Sequence, residues 1–302
     1  MRVVYGHTDS IYVQMPIEKA EETLTILNTH VRRKFPNLLG LEQHPVVLEF
    51  EKYFQSLGVG ITKNRNAGLI SWKDGKELAK PEFVMTGFAA KRVTITELAK
   101  NIQMDVLTMW VNGKTETEIT KHLKTQYNAV LSGKVELKSL TNRSRYRPER
   151  FIYKCADCSK QYTANELVEH RKSTISYSYC EKCGSGFKLL TQAGKKPIIG
   201  EGVEGVLWWN QTQQNPIEDS YVYLKVEDEI NRPFYINPVT GVRKRPTYIS
   251  APSLAELPEV NPDFKHYAES IIKKADPIYK AMGWSTDEIK KDINQQTLND
   301  WW

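Results

Sequence analysis

The period of the apolar positions changes several times along the chain, and each change marks an element. Val3-Val4-Tyr5 and Ile11-Tyr12-Val13 are two β-prone runs around the polar tip Gly6-His7-Thr8-Asp9-Ser10. This layout predicts a β-hairpin over residues 1–15 with an acidic residue at its turn. Between Ile17 and Lys34 the period becomes helical, with Ala20, Leu24, Ile26, Leu27 and Val31 as the apolar set. Pro36 and Gly40 end that helix. Val46–Gly58 and Val59–Trp72 read as strands, broken by Gly58, Gly60 and Gly68, and Asp74-Gly75 is a hairpin-turn signal.

Two helices follow, over 94–112 and 115–132. Thr94 and Thr96 are candidate caps for the first, and Thr115 to Glu118 forms a capping box for the second. Val206-Leu207-Trp208-Trp209 and Tyr221 to Val226 look strand-like, with the two tryptophans expected in a core. Residues 236–241 read as a turn. His266 to Met282 reads as a helix stopped by Gly283, followed by a polar tail ending in Trp301-Trp302. No internal repeat or low-complexity tract interrupts this order.

A chain of 302 residues with 40% hydrophobic content can build about two packed domains. No run of 18 apolar residues is present, so no membrane span is expected, and the N-terminus lacks the layout of a signal peptide. The expected location is the cytoplasm. A net charge of +6 is compatible with a polyanionic partner without requiring one. Much of the excess sits in a run over 134–154 that includes Lys134, Lys138, Arg143, Arg145, Arg147, Arg150 and Lys154. Such a run is either a solvated face or a track for phosphates.

All four cysteines fall into two Cys-x-x-Cys pairs, Cys155/Cys158 and Cys180/Cys183, with 21 residues between the pairs. In a cytosolic chain this spacing points to one tetrahedral zinc site, with two redox dithiols or an iron–sulfur cluster as the alternatives. Zinc here would staple a small module that has little core of its own. Asp9 is the other candidate metal ligand. A carboxylate held at a tight turn suits Mg²⁺, although aspartate is also an ordinary turn residue.

The segment Tyr5-Gly6-His7-Thr8-Asp9-Ser10 resembles the Tyr-Gly-Asp-Thr-Asp-Ser palm hairpin of family B DNA polymerases. Weaker similarities follow in the family's order: Leu48 to Tyr53, Thr62 to Gly68 at the palm–thumb border, Gly87 to Arg92 at the thumb entry, and Asp263-Phe264 with His266-Tyr267 at the final thumb helix. The resemblance implies that Asp9 holds the catalytic metals and that Lys63, Arg65, Lys91 and Arg92 grip duplex phosphates. Two departures stand out. His7 replaces the first hairpin aspartate, and Asn64 and Asn66 replace a lysine and a tyrosine of the border motif. The second palm aspartate motif, the fingers helix and the exonuclease carboxylates have no counterpart in the sequence.

Two-metal transfer needs carboxylates from two strands, so Asp9 alone does not suffice. The resemblance therefore implies the small piece of a split family B polymerase, as in some archaea. Its fold class would be α+β: palm C-terminal hairpin and sheet (1–90), a mostly helical thumb (91–150 and 193–286), an inserted zinc ribbon (151–192) and a tail (287–302). Its cofactors would be Mg²⁺, at a site shared with the partner chain, and one structural Zn²⁺. Its partners would be a larger subunit with the remaining palm, fingers and exonuclease, together with primer–template DNA. Gln295-x-x-Leu298-x-x-Trp301-Trp302 resembles the clamp-binding box of replication proteins, which adds a sliding clamp. The rival reading is a non-catalytic zinc-ribbon accessory protein that tethers the clamp.

Overall fold

Residues 2–7, 9–88, 90, 95–163, 166 and 180–291 are described by the computed structural model. The first half of the chain contains β1 (Arg2–Gly6), β2 (Ile11–Gln14), α1 (Ala20–Lys34), β3 (Lys52–Val59), β4 (Asn66–Lys73), β5 (Lys76–Thr86), α2 (Glu97–Val111) and α3 (Glu116–Leu131). The second half contains α4 (Leu137–Leu140), β6 (Asn142–Arg145), β7 (Phe151–Cys155), β8 (Gln161–Thr163), β9 (Phe187–Thr191), α5 (Glu201–Thr212), β10 (Ser220–Lys225), β11 (Tyr235–Ile236), β12 (Arg243–Lys244), β13 (Tyr248–Ala251), α6 (Phe264–Met282) and α7 (Asp287–Lys290). The fold is α+β. It divides into two compact units, one of residues 1–88, 104–122 and 275–291, the other of the remainder. Among the described residues no helix is long and apolar enough to cross a membrane.

The first unit holds the β1–β2 hairpin and the antiparallel meander β3-β4-β5. Asp74 and Gly75 close the β4–β5 turn, both with positive φ (52° and 79°). Ala67, Ile70, Val106, Leu107, Ile119, Ile278 and Tyr279 are buried here. The Thr120 and Tyr279 hydroxyls pair at 2.6 Å. The capping box forms as the sequence implies, with Glu118 accepting from the Thr115 N–H at 2.9 Å and Thr115 Oγ1 accepting from the Glu118 N–H at 3.3 Å.

Two strand expectations shift in this unit. Residues 46–51 are not strand, because the Asn28 side chain takes both the N–H (2.8 Å) and the C=O (2.9 Å) of Leu48. Gly58 and Gly68 lie within the β3–β4 ladder rather than breaking it, Gly58 opposite Ala67 and Leu57 opposite Gly68.

In the second unit, β13-β10-β6 form a sheet covered by α5. The expected strand Val206–Trp209 is instead part of this helix. An unbroken apolar run reads equally as a buried strand or a helix buried all round. Gly202 and Gly205 decide it, because they let the helix lie directly on the sheet. A Cβ on Gly205 would stand 2.6 Å from the Ser250 backbone nitrogen. Trp208 and Trp209 are core as expected, each with its indole N–H bound to a carbonyl (Pro233 at 3.0 Å, Asn215 at 2.6 Å). Gly205→Ala is therefore expected to cost about 2–3 kcal/mol, since backbone on the opposing strand cannot give way; urea denaturation of the variant measures it.

Glu204, on the same helix, is buried and accepts from Thr247 Oγ1 (2.7 Å), Tyr235 OH (2.9 Å) and Lys244 Nζ (2.5 Å). Burial raises its pKa, but the bonds from Lys244, Thr247 and Tyr235 outweigh it and hold the carboxyl below its ordinary range. A depressed carboxyl stabilises the fold fully above the ordinary carboxylate pKa of about 4.3 and loses that contribution as pH falls further. Glu204→Gln is expected to be destabilising by about 3 kcal/mol at neutral pH and to flatten the acid limb of a Tm-against-pH curve.

Candidate functional site

The hairpin is built on its sequence alternation. Val3 pairs with Val13, Tyr5 with Tyr12 and Gly6 with Ile11, with a bulge between Val3 and Tyr5. The His7 N–H closes the turn onto the Ser10 carbonyl at 2.8 Å. Asp9 stands at the tip with its side chain 89% exposed, and His7 Nδ1 lies 3.7 Å from its Oδ1. This is an accessible hard oxygen donor on a short turn, which fits a divalent cation. Among the described residues, the four cysteines are the one cluster of three or more potential ligands, so no further acidic residue gathers around Asp9.

Side chains anchor the hairpin to the rest of its unit. Tyr12 packs between Tyr5 (5.3 Å) and Phe54 (5.8 Å) with its ring tilted against both. The Tyr53 hydroxyl donates to the Met15 carbonyl at 3.2 Å. Tyr5 reaches the loop between β3 and β4: its hydroxyl accepts from the Asn64 N–H at 3.1 Å and donates to Asn64 Oδ1 at 3.3 Å. That loop carries Lys63 and Arg65 on either side of Asn64, and its base is closed by the Gly60 N–H on the Arg65 carbonyl at 2.7 Å. The structure thus brings three of the candidate residues, Asp9, Lys63 and Arg65, onto two connected segments.

Asn64 has a role that sequence reasoning missed. Its backbone is left-handed at φ 62° and its side chain ties the loop to the hairpin. The available signal was its type, since asparagine is the non-glycine residue most tolerant of positive φ.

The four cysteines gather beside a three-stranded sheet ordered β8-β7-β9, Cys155 ending β7 and the other three outside the strands, next to a small core of Tyr153, Tyr162, Phe187 and Leu189. Their sulfurs all lie within 4.8 Å of one another, with Cys155–Cys183 at 3.4 Å and Cys158–Cys180 at 3.6 Å. Two knuckles bring them there. The residue after each second cysteine is left-handed, Ser159 at φ 60° and Gly184 at φ 71°, which turns the following strand away from the sulfurs. The Tyr162 hydroxyl lies 3.4 Å from Cys180 Sγ. Burial pushes the Cys180 thiol up, but bonds from Tyr162 and the Lys182 and Cys183 backbone bring it down to about 6. Four converging sulfurs with one thiolate already favoured fit a zinc ion.

Comparison with known proteins bears on both elements. The sequence pattern of DNA polymerase family B matches residues 1–245, more than three quarters of the chain. The chain belongs to DNA polymerase family B. The matched region of this family B chain takes in the hairpin, the Lys63–Arg65 loop and the cysteine ribbon. Among solved structures, the family B DNA polymerase from the hyperthermophilic archaeon Pyrobaculum calidifontis is similar at 14% identity, with a TM-score of 0.49 over 98% of this chain. The chain spans 27% of that polymerase's length. Among curated proteins none matches significantly. Of the remaining candidates, Lys91, Arg92, Gln295, Leu298, Trp301 and Trp302 lie outside the described residues.

Proposed function

We propose that this chain is the small subunit of a split family B DNA polymerase. It supplies the Asp9 hairpin and the DNA-gripping thumb to a larger subunit that carries the other palm carboxylate, the fingers and the exonuclease. The observation that carries this reading is the state of the hairpin. Among the described residues its sheet has two strands, and Val3 (58%), Val4 (41%) and Ile11 (45%) are exposed although they point to both faces. A two-stranded sheet with open apolar faces is marginal by itself and calls for further strands.

Asp9 would provide one carboxylate of a site whose other ligands come from the partner. Mg²⁺ in such a site supplies the charge that activates a primer 3′-hydroxyl and stabilises the departing pyrophosphate. Within this chain, Tyr5 and Asn64 hold the tip against the β3–β4 loop, so that Lys63 and Arg65 stand ready for duplex phosphates. Lys91 and Arg92 extend that grip. Zinc on Cys155, Cys158, Cys180 and Cys183 holds the ribbon.

The test is primer extension with each chain alone and with the two mixed. Only the mixture is expected to extend. Robust extension by this chain alone would overturn the split reading. One observation favours a second reading, a non-catalytic accessory role: His7 occupies a family aspartate position. A mixture whose activity is indifferent to Asp9 would support it.

The tail Gln295, Leu298, Trp301 and Trp302 would bind a sliding clamp, with the apolar side chains entering a pocket and the glutamine at its rim. Deleting residues 295–302 is expected to leave distributive synthesis unchanged and to abolish stimulation by the clamp. Equal stimulation of the truncated and full-length forms would place the clamp site elsewhere.

A further inference from the structure

The basic run over 134–154 is not one uniform face. Asn142–Arg145 forms β6, the edge strand of the β13-β10-β6 sheet, so its side chains alternate. Arg143 and Arg145 are exposed, Tyr146 turns inward at 4% exposure, and Arg147 returns to the surface. Arg143 and Arg145 thus share one face of the strand, with their backbones about 7 Å apart, and Arg147 follows just beyond its end. Beside them lies an open cleft of about 600 Å³. Arg143, Arg145, Arg147, Arg150, Phe151 and Ser220 wall it, with no carboxylate among its lining residues. Arg145 is held by Asp219 at 2.9 Å, whereas Arg143, Arg147 and Arg150 have no acidic partner among the described residues.

We propose that this cleft binds the phosphodiester backbone of an unpaired DNA strand, with Phe151 receiving a base. Arg143, Arg147 and Arg150, three guanidinium groups without an ion pair along one cleft wall, offer contacts to phosphates, and the Ser220 hydroxyl adds a neutral donor; Glu149, Glu218 and Asp219 lie in the neighbouring cleft that Arg145 and Arg147 also line. Phe151 selects the unpaired form. It is partly buried, packed against the ribbon core and paired with Tyr146 at 6.4 Å with the rings 26° apart, and it lines the cleft. A ring beside an arginine track is the arrangement that receives the face of an unstacked base, which a duplex does not offer. Phe151 opens β7, so the ribbon that carries the cysteines also sets one wall of the cleft.

This inference concerns binding by the isolated chain and does not depend on the catalytic reading. The experiment measures affinity of the full chain for a labelled single-stranded oligonucleotide and for the duplex of the same sequence, across a salt series. The triple variant R143A/R147A/R150A is compared with K134A/K138A/K154A, which removes the same charge from the same run outside the cleft. The cleft triple is expected to weaken single-strand binding at least tenfold and to reduce the salt slope by about 2, at about 0.7 per phosphate contact. The control triple is expected to stay within twofold on the single strand, and the duplex to lose far less than the single strand in the cleft triple. Phe151→Leu, which keeps an apolar side chain against the ribbon core but removes the ring, is expected to cost about fivefold on the single strand. Equal losses in the two triples would reduce the effect to net charge and overturn the cleft. An equal loss on the duplex, or unchanged affinity in Phe151→Leu, would overturn the assignment to an unpaired strand.

Discussion

In primer extension by the proposed mixture of this chain with a larger subunit, Asp9→Ala is expected to lower kcat by about a thousandfold or more, while His7→Asp stays within a few-fold of the parent. The loss corresponds to the several kcal/mol that a metal-held charge contributes to a phosphoryl-transfer transition state. The structure separates this effect from misfolding. Asp9 is 89% exposed, and the turn is closed by backbone atoms of His7 and Ser10. Removing the carboxylate therefore leaves the hairpin its hydrogen bonds, and Tm and DNA binding are expected to be unchanged. His7→Asp would place a second carboxylate on the same tip. A nearly silent Asp9→Ala, measured on an active mixture, would remove Asp9 from the metal site.

Zinc removal is expected to have the largest structural effect. Metal analysis should find one zinc per chain, and Cys180→Ala or strong chelation should unfold the ribbon over about 151–191 while the hairpin unit keeps its structure. The ribbon core is only Tyr153, Tyr162, Phe187 and Leu189 around the buried Cys155 and Cys180. Such a core is too small to hold three short strands, whereas a structural zinc contributes about 10–16 kcal/mol to the folding of a small module. Limited proteolysis should then cut within the ribbon first. Iron in place of zinc, a stoichiometry well below one, or an unchanged cleavage pattern after chelation would refute the site.

Tyr5 and Asn64 show where reading along the chain stops. Tyr5 belongs to the hairpin pattern and Asn64 to a loop 59 residues later, and neither position carries a sign of the other. The asparagine carries no charge to offer a phosphate, and its left-handed backbone and bond to Tyr5 give it a structural role instead. The arginine run is a similar case. Its composition was plain, but only the alternation of an edge strand and the pairing of Arg145 with Asp219 separate the free guanidinium groups from the compensated one.

What the sequence determined by itself was everything encoded over a few neighbouring residues. The hairpin at the start, the helices at 97–111 and 116–131 with their Thr96 and Thr115 caps, the Asp74-Gly75 turn and the two cysteine knuckles all follow from local period, cap chemistry and spacing. The tertiary structure alone decided the state of Val206–Trp209. An unbroken apolar run satisfies a buried strand and a buried helix equally, and the choice rests on Gly202 and Gly205 meeting Tyr221 and Ser250 on the sheet below. It also decided that Leu48 leaves the strand ladder for the Asn28 amide and that the Tyr162 hydroxyl lies against the Cys180 sulfur. Contacts of this kind depend on which surfaces come together, and a local pattern cannot specify them because it carries no information about the opposing face.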